Sequence, residues 1–233
     1  MLIGVAGMVG TGKSTLTRAL ARYFGFAMEL ESVATDDEPE GADNPWLALY
    51  YGEPNGMRRY GLPLQLHFLA TRMESLRRIR AEGGDWILDR TWYEDAEIFA
   101  RGLFEQGLLD ALEYDLYARL YTELMHSPAA RPPRLLIYLH GPLESILARI
   151  GQRNRAAERD APLEYWQTLH TRYERWIRGF RHCPVLSLDI RSFDLMRSPA
   201  GVEEVAERVR RALGRDLERT AEQYRLPLAL TAS

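Results

Sequence analysis

Residues 7–14 read "GMVGTGKS" and decide the fold; they are Gly7, Met8, Val9, Gly10, Thr11, Gly12, Lys13 and Ser14. An apolar run over residues 2–6 precedes them and predicts a short buried strand. The residues that follow, "KSTLTRALARYFG", carry apolar side chains at helical spacing and end in glycine, which predicts a helix. A strand, a G-x-x-x-x-G-K-[ST] loop and a helix in succession are typical of a loop whose backbone N–H groups bind phosphates. The stretch therefore predicts a nucleotide site at the carboxyl end of the first strand.

Four more apolar runs predict strands after this loop: "FAMEL", "DWILD", "RLLIYLH" and "PVLSLDI". Because helical patterns separate the runs, we expect an α/β fold, with a five-stranded parallel sheet flanked by helices in a single domain over residues 1–233. Residues 32–62 are rich in proline and glycine and are predicted to be a turn-rich segment. A helix is predicted to begin at Pro63, and two more are expected over residues 95–127.

The composition excludes several classes of protein. Of 233 residues, 46% are hydrophobic and 27% are charged, and the net charge is −3, as is ordinary for a soluble globular domain. We expect neither a nucleic-acid polymer nor a membrane as partner, because there is no basic excess and no apolar run of bilayer length. Cys183 is the only cysteine and no leader pattern precedes the first strand, so we expect a cytoplasmic protein.

Lysine occurs once in the sequence. Of the 30 basic residues, Lys13 is the only lysine and the rest are arginine. Since arginine serves every other cationic position, we predict that a compact ammonium on a flexible stem is required here, between two phosphates. A guanine-reading N-K-x-D element needs a second lysine, and no D-x-x-G motif is present. A regulatory GTPase is therefore not expected.

Charged side chains follow two of the predicted strands. "ELES" places Glu29 and Glu31 at the end of the second strand, and "ILDRT" places Asp89 and Arg90 at the end of the third. The carboxyl ends of parallel strands line the ligand crevice of such sheets. Phosphoryl transfer needs a base and a cation near the transferred group, so these residues are candidates for both roles.

Seven segments, in this order, resemble the deoxyribonucleoside kinases, particularly the bacterial branch that acts on deoxyadenosine and deoxycytidine. They are "GMVGTGKSTL", "LESV", "NPWLALYY", "LQLHFLATR", "LDRTWYED", "RIGQRNR" and "PLEYWQTLH", and they fall within residues 2–190. The resemblance implies a P-loop kinase fold, ATP as phosphate donor, Mg²⁺, and a deoxyribonucleoside as the small-molecule acceptor. It also implies a homodimer formed by helices around residues 95–127 and 162–181.

Catalytic roles follow from the resemblance and from the loop motif. Glu31 falls where the family has its general base, which takes the proton of the 5′-hydroxyl as that hydroxyl attacks the γ-phosphate. Arg90 would orient Glu31 and contact the transferring phosphoryl group, while Asp89 would approach Mg²⁺. The loop motif itself predicts that Lys13 bridges the β- and γ-phosphates and that Ser14 helps to hold Mg²⁺.

The donor site is predicted to combine the glycine-rich loop with a lid. Residues 7–14, together with Thr15, would bind the phosphates of ATP. Arg149, Arg153 and Arg155 fall in the family's lid, over residues 149–160, which closes over those phosphates. Arg149 and Arg153 are one helical turn apart, so both guanidiniums can reach one anionic group. The alternative for this arginine cluster is a solvated basic face.

The resemblance assigns recognition of the base to residues of two helices. Gln65 and Asp95 match the positions that hydrogen-bond the edge of the base, with Arg72 pairing near Asp95, and Phe99 would stack on it. The alternative for Gln65 is a packing role only. Because Gln65 both donates and accepts and Asp95 accepts, the pair suits the exocyclic amino group of adenine or cytosine. We rank deoxyadenosine first and keep guanine as the alternative.

The sugar is expected to contact two more residues. Tyr51 and Glu158 match the groups that grip the 3′-hydroxyl, although the adjacent Tyr50 could be the tyrosine that points inward. The segment between Tyr51 and Gln65 is longer than the family pattern, and Trp92 is bulkier than the aliphatic residue expected there. The wall of the pocket near the sugar is therefore expected to differ from the family's.

Two other functions are compatible with the loop. A nucleoside monophosphate kinase such as thymidylate kinase shares the loop and the Asp-Arg pair, but the carboxylate of "LESV" would repel an acceptor that carries a phosphate. A nucleotide-binding regulatory or assembly protein would bind ATP without nucleoside-dependent release of ADP. The presence of both Glu31 and Arg90 favours an enzyme.

Overall fold

Five parallel strands form one sheet in the computed structural model, which describes residues 1–30, 44–153, 161–193 and 199–224. The strands are β1 (Leu2–Gly7), β2 (Ala27–Glu29), β3 (Trp86–Asp89), β4 (Leu135–His140) and β5 (Val185–Asp189). Their order across the sheet is β2-β3-β1-β4-β5, and every neighbouring pair is parallel. The predicted α/β fold with a five-stranded parallel sheet is confirmed.

Helices flank this sheet. They are α1 (Lys13–Phe24), α2 (Pro45–Gly52), α3 (Gly56–Glu82), α4 (Trp92–Glu94), a π-helical turn (Asp95–Ala100), α5 (Arg101–Glu105), α6 (Ala111–His126), α7 (Leu143–Arg153), α8 (Leu163–Gly179) and α9 (Pro199–Tyr224). The π-helical turn contacts α3, α6 and α8, so it lies where these three helices meet. Within the described part of the chain, no helix is long and apolar enough to cross a membrane.

The register of the central strands positions the site. Ile3 and Val5 on β1 and Ile137 on β4 are fully buried, as expected for central strands of a parallel sheet that are covered on both faces. Val5 lies opposite Asp89 of β3. The glycine-rich loop, which starts at the end of β1, therefore begins beside the carboxyl end of β3.

The predicted start of the long helix at Pro63 is wrong. Helix α3 begins at Gly56, seven residues earlier, and Pro63 lies inside it. Pro63 is the eighth residue of α3, so it lies past the first turn and leaves the carbonyl of Arg59 without its helical N–H partner. Helix α2 also occupies part of the predicted turn-rich segment, and Asn44 caps it by accepting hydrogen bonds from the N–H groups of Trp46 and Leu47 at 3.1 and 3.2 Å. "NPW", an N-cap residue followed by proline, was the local signal for this helix.

Candidate active site

The glycine-rich loop forms a tight turn between β1 and α1. Thr11 donates its backbone N–H and its hydroxyl to the carbonyl of Met8, at 3.2 and 2.7 Å. Gly10 has a φ of +84°, and a Cβ at this position would lie 2.5 Å from Cγ1 of Ile150. Gly12, at φ +91°, immediately precedes α1. Glycine thus permits the backbone path that lets the N–H groups of such a loop face a phosphate.

The first two residues of α1 lie close to the ends of β1 and β3. Lys13 is buried, and its ammonium donates to the carbonyl of Met8 at 3.3 Å. The Ser14 hydroxyl donates to Oδ2 of Asp89 at 2.5 Å. The other carboxylate oxygen of Asp89, Oδ1, is buried and has no hydrogen-bond partner among the described residues. Hydroxyl and carboxylate oxygens are the ligands that Mg²⁺ prefers, so this pair fits the predicted metal role.

Arg90 follows β3 with an uncommon backbone conformation. Its φ of +71° lies in the left-handed region, where residues with a side chain are rare and cluster at functional sites. The side chain is buried, and Nη1 donates to the hydroxyl of Tyr173 at 3.1 Å. The guanidinium also lies over the ring of Phe99, 4.6 Å from its centroid. Phe99 thus contacts Arg90, in addition to its predicted role beneath a base.

Glu94 is a site residue that sequence reasoning missed. It is fully buried, and its carboxylate accepts hydrogen bonds from the backbone N–H of Gly7 at 3.2 Å, the N–H of Thr91 at 2.9 Å and the hydroxyl of Tyr173 at 3.0 Å. Thr91 and Glu94 form a capping box at the start of α4. The T-x-x-E spacing of such a box is visible in "RTWYED" and could have identified the helix start, although not the burial of the carboxylate.

Two cations lie near the Glu94 carboxylate. Burial is the largest influence on this group and raises the pKa of Glu94 above its usual value. The charges of Arg90 and Lys13 act in the opposite direction, as do the N–H groups that the carboxylate binds. The site therefore contains a buried acid whose nearest opposite charges are the predicted catalytic cations.

Helix α3 and the π-helical turn hold the residues predicted to read a base. Nε of Arg72 donates to Oδ2 of Asp95 at 3.0 Å, and both side chains are buried. Gln65, two turns earlier on α3, is 3% exposed, and its Oε1 has no hydrogen-bond partner among the described residues. Tyr117 of α6 lies near the Arg72–Asp95 pair. Its burial is the main cause that raises the pKa of Tyr117, and the charge of Asp95 is the next. The structure thus pairs Arg72 with Asp95 and leaves a buried acceptor available on Gln65.

The two carboxylates of "ELES" differ in their surroundings. Glu29 accepts a hydrogen bond from the hydroxyl of Ser75 at 2.5 Å and forms an ion pair with Arg78, so α3 engages both of its oxygens. Glu31 lies outside the described residues. Because Glu29 is already occupied by structural contacts, Glu31 is the carboxylate of this stretch that stays a candidate for the general base.

The adjacent tyrosines expected near the sugar differ in exposure. Tyr51 is 49% exposed, whereas Tyr50 is 9% exposed and packs in a hydrophobic cluster with Leu64 and Leu103. Tyr50 therefore has a packing role, and Tyr51 is the one that a ligand can reach. Trp92 is fully buried in the main hydrophobic core.

Arg149, one of the predicted lid arginines, connects the glycine-rich loop to the end of β5. Arg149 of α7 donates to the carbonyl of Thr11 at 3.4 Å, and also to the carbonyl of Ile190, after β5, at 2.7 Å. Arg153 is the last residue of α7. Two further predicted site residues lie outside the described residues: Arg155 and Glu158.

Three features together define a P-loop kinase fold. They are the parallel sheet, the glycine-rich loop at the end of its central strand β1, and the buried neighbours Asp89 and Arg90 at the end of β3. A family model described as "Deoxynucleoside kinase" matches residues 3–213. The chain therefore belongs to the deoxynucleoside kinase family. It is a phosphotransferase that acts on a deoxynucleoside, and the family implies ATP as the phosphate donor.

Relatives with different base specificities match along most of their length. The deoxyadenosine/deoxycytidine kinase of Bacillus subtilis is 39% identical over 208 residues, which cover 89% of this chain and 91% of that protein. A deoxyadenosine kinase of Dictyostelium discoideum is 36% identical over 194 residues, covering 82% and 73% respectively. A deoxyguanosine kinase of Lactobacillus acidophilus is 31% identical over 215 residues, covering 89% of each chain. The matches therefore extend over the whole fold rather than over the phosphate loop alone.

Solved structures share this fold. The deoxyadenosine kinase from M. mycoides with bound dCTP superposes with a TM-score of 0.71 at 24% sequence identity, covering 90% of this chain and 99% of that one. The same enzyme with bound dATP gives a TM-score of 0.71 and covers 90% and 100%. At this level of identity the likeness bears on the fold alone.

Proposed function

We propose that this kinase transfers the γ-phosphoryl group of Mg-ATP to the 5′-hydroxyl of deoxyadenosine, with deoxycytidine as a second substrate, for nucleotide salvage in the cytoplasm. The observation that carries the choice of base is the buried Arg72–Asp95 pair, with the unpartnered oxygen of Gln65 on the same helix as Arg72. The deoxyadenosine/deoxycytidine kinase of Bacillus subtilis and the deoxyadenosine kinase of Dictyostelium discoideum agree with this choice.

The proposed contacts to the base follow from the hydrogen-bond acceptors that Asp95 and Gln65 offer. Arg72 fixes Asp95 by donating to Oδ2, and a carboxylate in this position can accept from an exocyclic amino group. An unpaired buried acceptor such as Oε1 of Gln65 costs about 1–3 kcal/mol, a cost that a donor on the base would remove. Adenine and cytosine both carry such a donor. Guanine, whose C6 substituent is an acceptor, is the second candidate, supported by the match to a deoxyguanosine kinase at 31% identity.

The proposed reaction uses groups at the ends of three strands. Glu31 takes the proton of the 5′-hydroxyl as its oxygen forms a bond to the γ-phosphorus. The bond between that phosphorus and the β–γ bridging oxygen breaks, and ADP leaves with the electron pair. Lys13 and Arg90 place positive charge where negative charge develops on the phosphoryl oxygens, which is the principal source of catalysis in such transfers.

Ser14 and Asp89 are the residues that would hold Mg²⁺. Their direct contact of 2.5 Å and the buried, unpartnered Oδ1 of Asp89 provide oxygen ligands at one point of the site. When bound with ATP, the ion neutralises charge on the phosphates. Asp89 also keeps the Ser14 hydroxyl directed toward the carboxyl end of β3.

Contacts to the sugar and to the donor phosphates complete the proposed site. Tyr51 and Glu158 bind the 3′-hydroxyl, and the exposure of Tyr51 supports access to a ligand. Arg149, Arg153 and Arg155 neutralise the donor phosphates as a lid. The hydrogen bond from Arg149 to the carbonyl of Thr11 supports this role, because Arg149 thereby lies against the phosphate loop.

A homodimer is proposed through the helices around residues 95–127 and 162–181. Leu112, Leu116 and Leu120 are 82%, 48% and 41% exposed on α6. At a spacing of four residues they form one apolar stripe along the helix. Leu163, at the start of α8, is 56% exposed as well. Burial of these leucines against a second copy would remove apolar area from water.

Replacement of Glu31 tests the assignment of the base. Glu31→Ala is expected to lower kcat by about 10²–10⁴-fold while ATP binding is retained, because the 5′-hydroxyl then loses its proton acceptor. Steady-state ADP release measures this effect. Glu29→Ala is the matched control from the same stretch and should leave kcat near that of the unaltered enzyme. Unchanged turnover in Glu31→Ala would rule out the base role.

Replacement of Asp95 tests the base pocket. Asp95→Asn exchanges an acceptor for a donor at one position, so kcat/KM for deoxyadenosine relative to deoxyguanosine should fall by roughly 10-fold or more. Glu97→Gln, an exposed acid on the same π-helical turn, is the control and should leave that ratio unchanged. If Asp95→Asn gave an unaltered substrate profile, the base would bind elsewhere.

The apolar stripe is tested by a charge on α6. Leu116→Glu should shift the sedimentation coefficient from that of a dimer to that of a single chain, since a carboxylate would be desolvated in the interface. Thr122→Glu adds the same charge on another side of α6 and should leave the dimer intact. A Leu116→Glu protein that sediments as the unaltered one does would contradict an interface on this stripe.

A further inference from the structure

Tyr173 and Glu94 connect helix α8 to Arg90 and to the phosphate loop. Tyr173 is 1% exposed and Glu94 is fully buried. The Tyr173 hydroxyl accepts a hydrogen bond from Nη1 of Arg90 at 3.1 Å and lies 3.0 Å from Oε1 of Glu94, to which it donates. A phenol can accept one hydrogen bond and donate its own proton in another. The three side chains therefore form a directed chain from Arg90 through Tyr173 to Glu94.

The far end of this chain is anchored on the phosphate loop. Oε1 of Glu94 also accepts from the backbone N–H of Gly7, the first residue of the loop, at 3.2 Å. Its second oxygen accepts from the N–H of Thr91, the residue after Arg90, at 2.9 Å. The Glu94 carboxylate thus binds the start of the phosphate loop and the backbone beside Arg90. Through Tyr173 it is also linked to the Arg90 side chain.

Arg90 needs such restraint for two reasons. Its backbone lies at φ +71°, a conformation that is costly for a residue with a side chain and persists only where surrounding contacts fix it. Its long side chain has several rotatable bonds, and their freedom would otherwise be lost on reaching the transition state. A guanidinium that is already held in place avoids that loss, which is the benefit of a preorganised site.

We propose that Tyr173 and Glu94 are positioning residues that fix the Arg90 guanidinium relative to the phosphate loop. This inference rests on the proposed catalytic role of Arg90. In this proposal, helix α8 contributes to phosphoryl transfer through the Tyr173 hydroxyl, without contacting either substrate. Loss of the hydroxyl leaves the formal charges of the site unchanged and removes its hydrogen bonds with Arg90 and Glu94, so the link that restrains Arg90 is broken and the effect falls on kcat.

The simplest alternative is that the network only stabilises the fold. Glu94 belongs to the capping box of α4, so its removal would also weaken that helix start. Tyr173 is outside the capping box, which makes Tyr173→Phe the cleaner variant. Tyr138→Phe is its matched control, because Tyr138 is also buried as a residue and its hydroxyl donates to a carboxylate of the same helix, Glu174 of α8, at 3.0 Å.

The test measures kcat, both KM values and the melting temperature of these variants with Mg-ATP and deoxyadenosine. Tyr173→Phe should lower kcat by about tenfold, the effect expected for one lost hydrogen bond to a charged group, and change each KM by less than about twofold. Tyr138→Phe should leave kcat unchanged. Equal kcat values in the two variants, or a loss in Tyr173→Phe that appears only as a raised KM, would overturn the proposal.

A double-mutant cycle separates this proposal from the proposed function itself. Arg90→Ala should lower kcat strongly, and adding Tyr173→Phe to it should cause no further loss, because the restrained group is gone. Independent, multiplicative losses would refute positioning through Arg90 while leaving its catalytic role in place. Full turnover by Arg90→Ala would refute both. Glu94→Gln should also lower kcat, and an unchanged kcat there would remove Glu94 from the network.

Discussion

The buried carboxylate of Glu94 joins the two strand ends on which the site is built. Parallel register brings Val5 of β1 opposite Asp89 of β3, so the phosphate loop and Arg90 leave the sheet side by side. Glu94 then accepts hydrogen bonds from the first residue of the loop and from the residue that follows Arg90. The sheet register and the hydrogen bonds of Glu94 therefore together set the separation of the phosphate loop and Arg90.

Among the described residues, five buried charges lie near an opposite charge. Arg72 pairs with Asp95 on the acceptor side, and Glu94 lies near Arg90 and Lys13 on the donor side. A buried charge left alone would cost several kcal/mol, so each partner makes the other tolerable. In the proposed reaction, the positive charges of Lys13 and Arg90 are therefore already desolvated and oriented where phosphate oxygens become more negative. Such fixed charge needs no rearrangement during phosphoryl transfer.

Features with local signals could be predicted from the sequence, and features made by distant contacts could not. The loop and the five strands were predicted because short apolar runs and the glycine pattern lie within a few residues. The start of α3 was placed at Pro63, because proline often begins a helix, although packing of α2 against α3 stabilises an earlier start. Glu94 was missed because its decisive contacts, to Gly7 and Tyr173, span 87 and 79 residues. No local pattern distinguishes a capping glutamate on the surface from one in a catalytic core.

Release of ADP, measured with Mg-ATP and with each natural deoxyribonucleoside and its 5′-monophosphate in parallel, tests the central claim most directly. We expect turnover with deoxyadenosine and, at lower kcat/KM, with deoxycytidine, and none with the monophosphates. Turnover only with a monophosphate would contradict the account. The acceptor's own phosphate would then be bound by arginines, and Glu31 could not act as the base that receives the proton of a nucleoside hydroxyl.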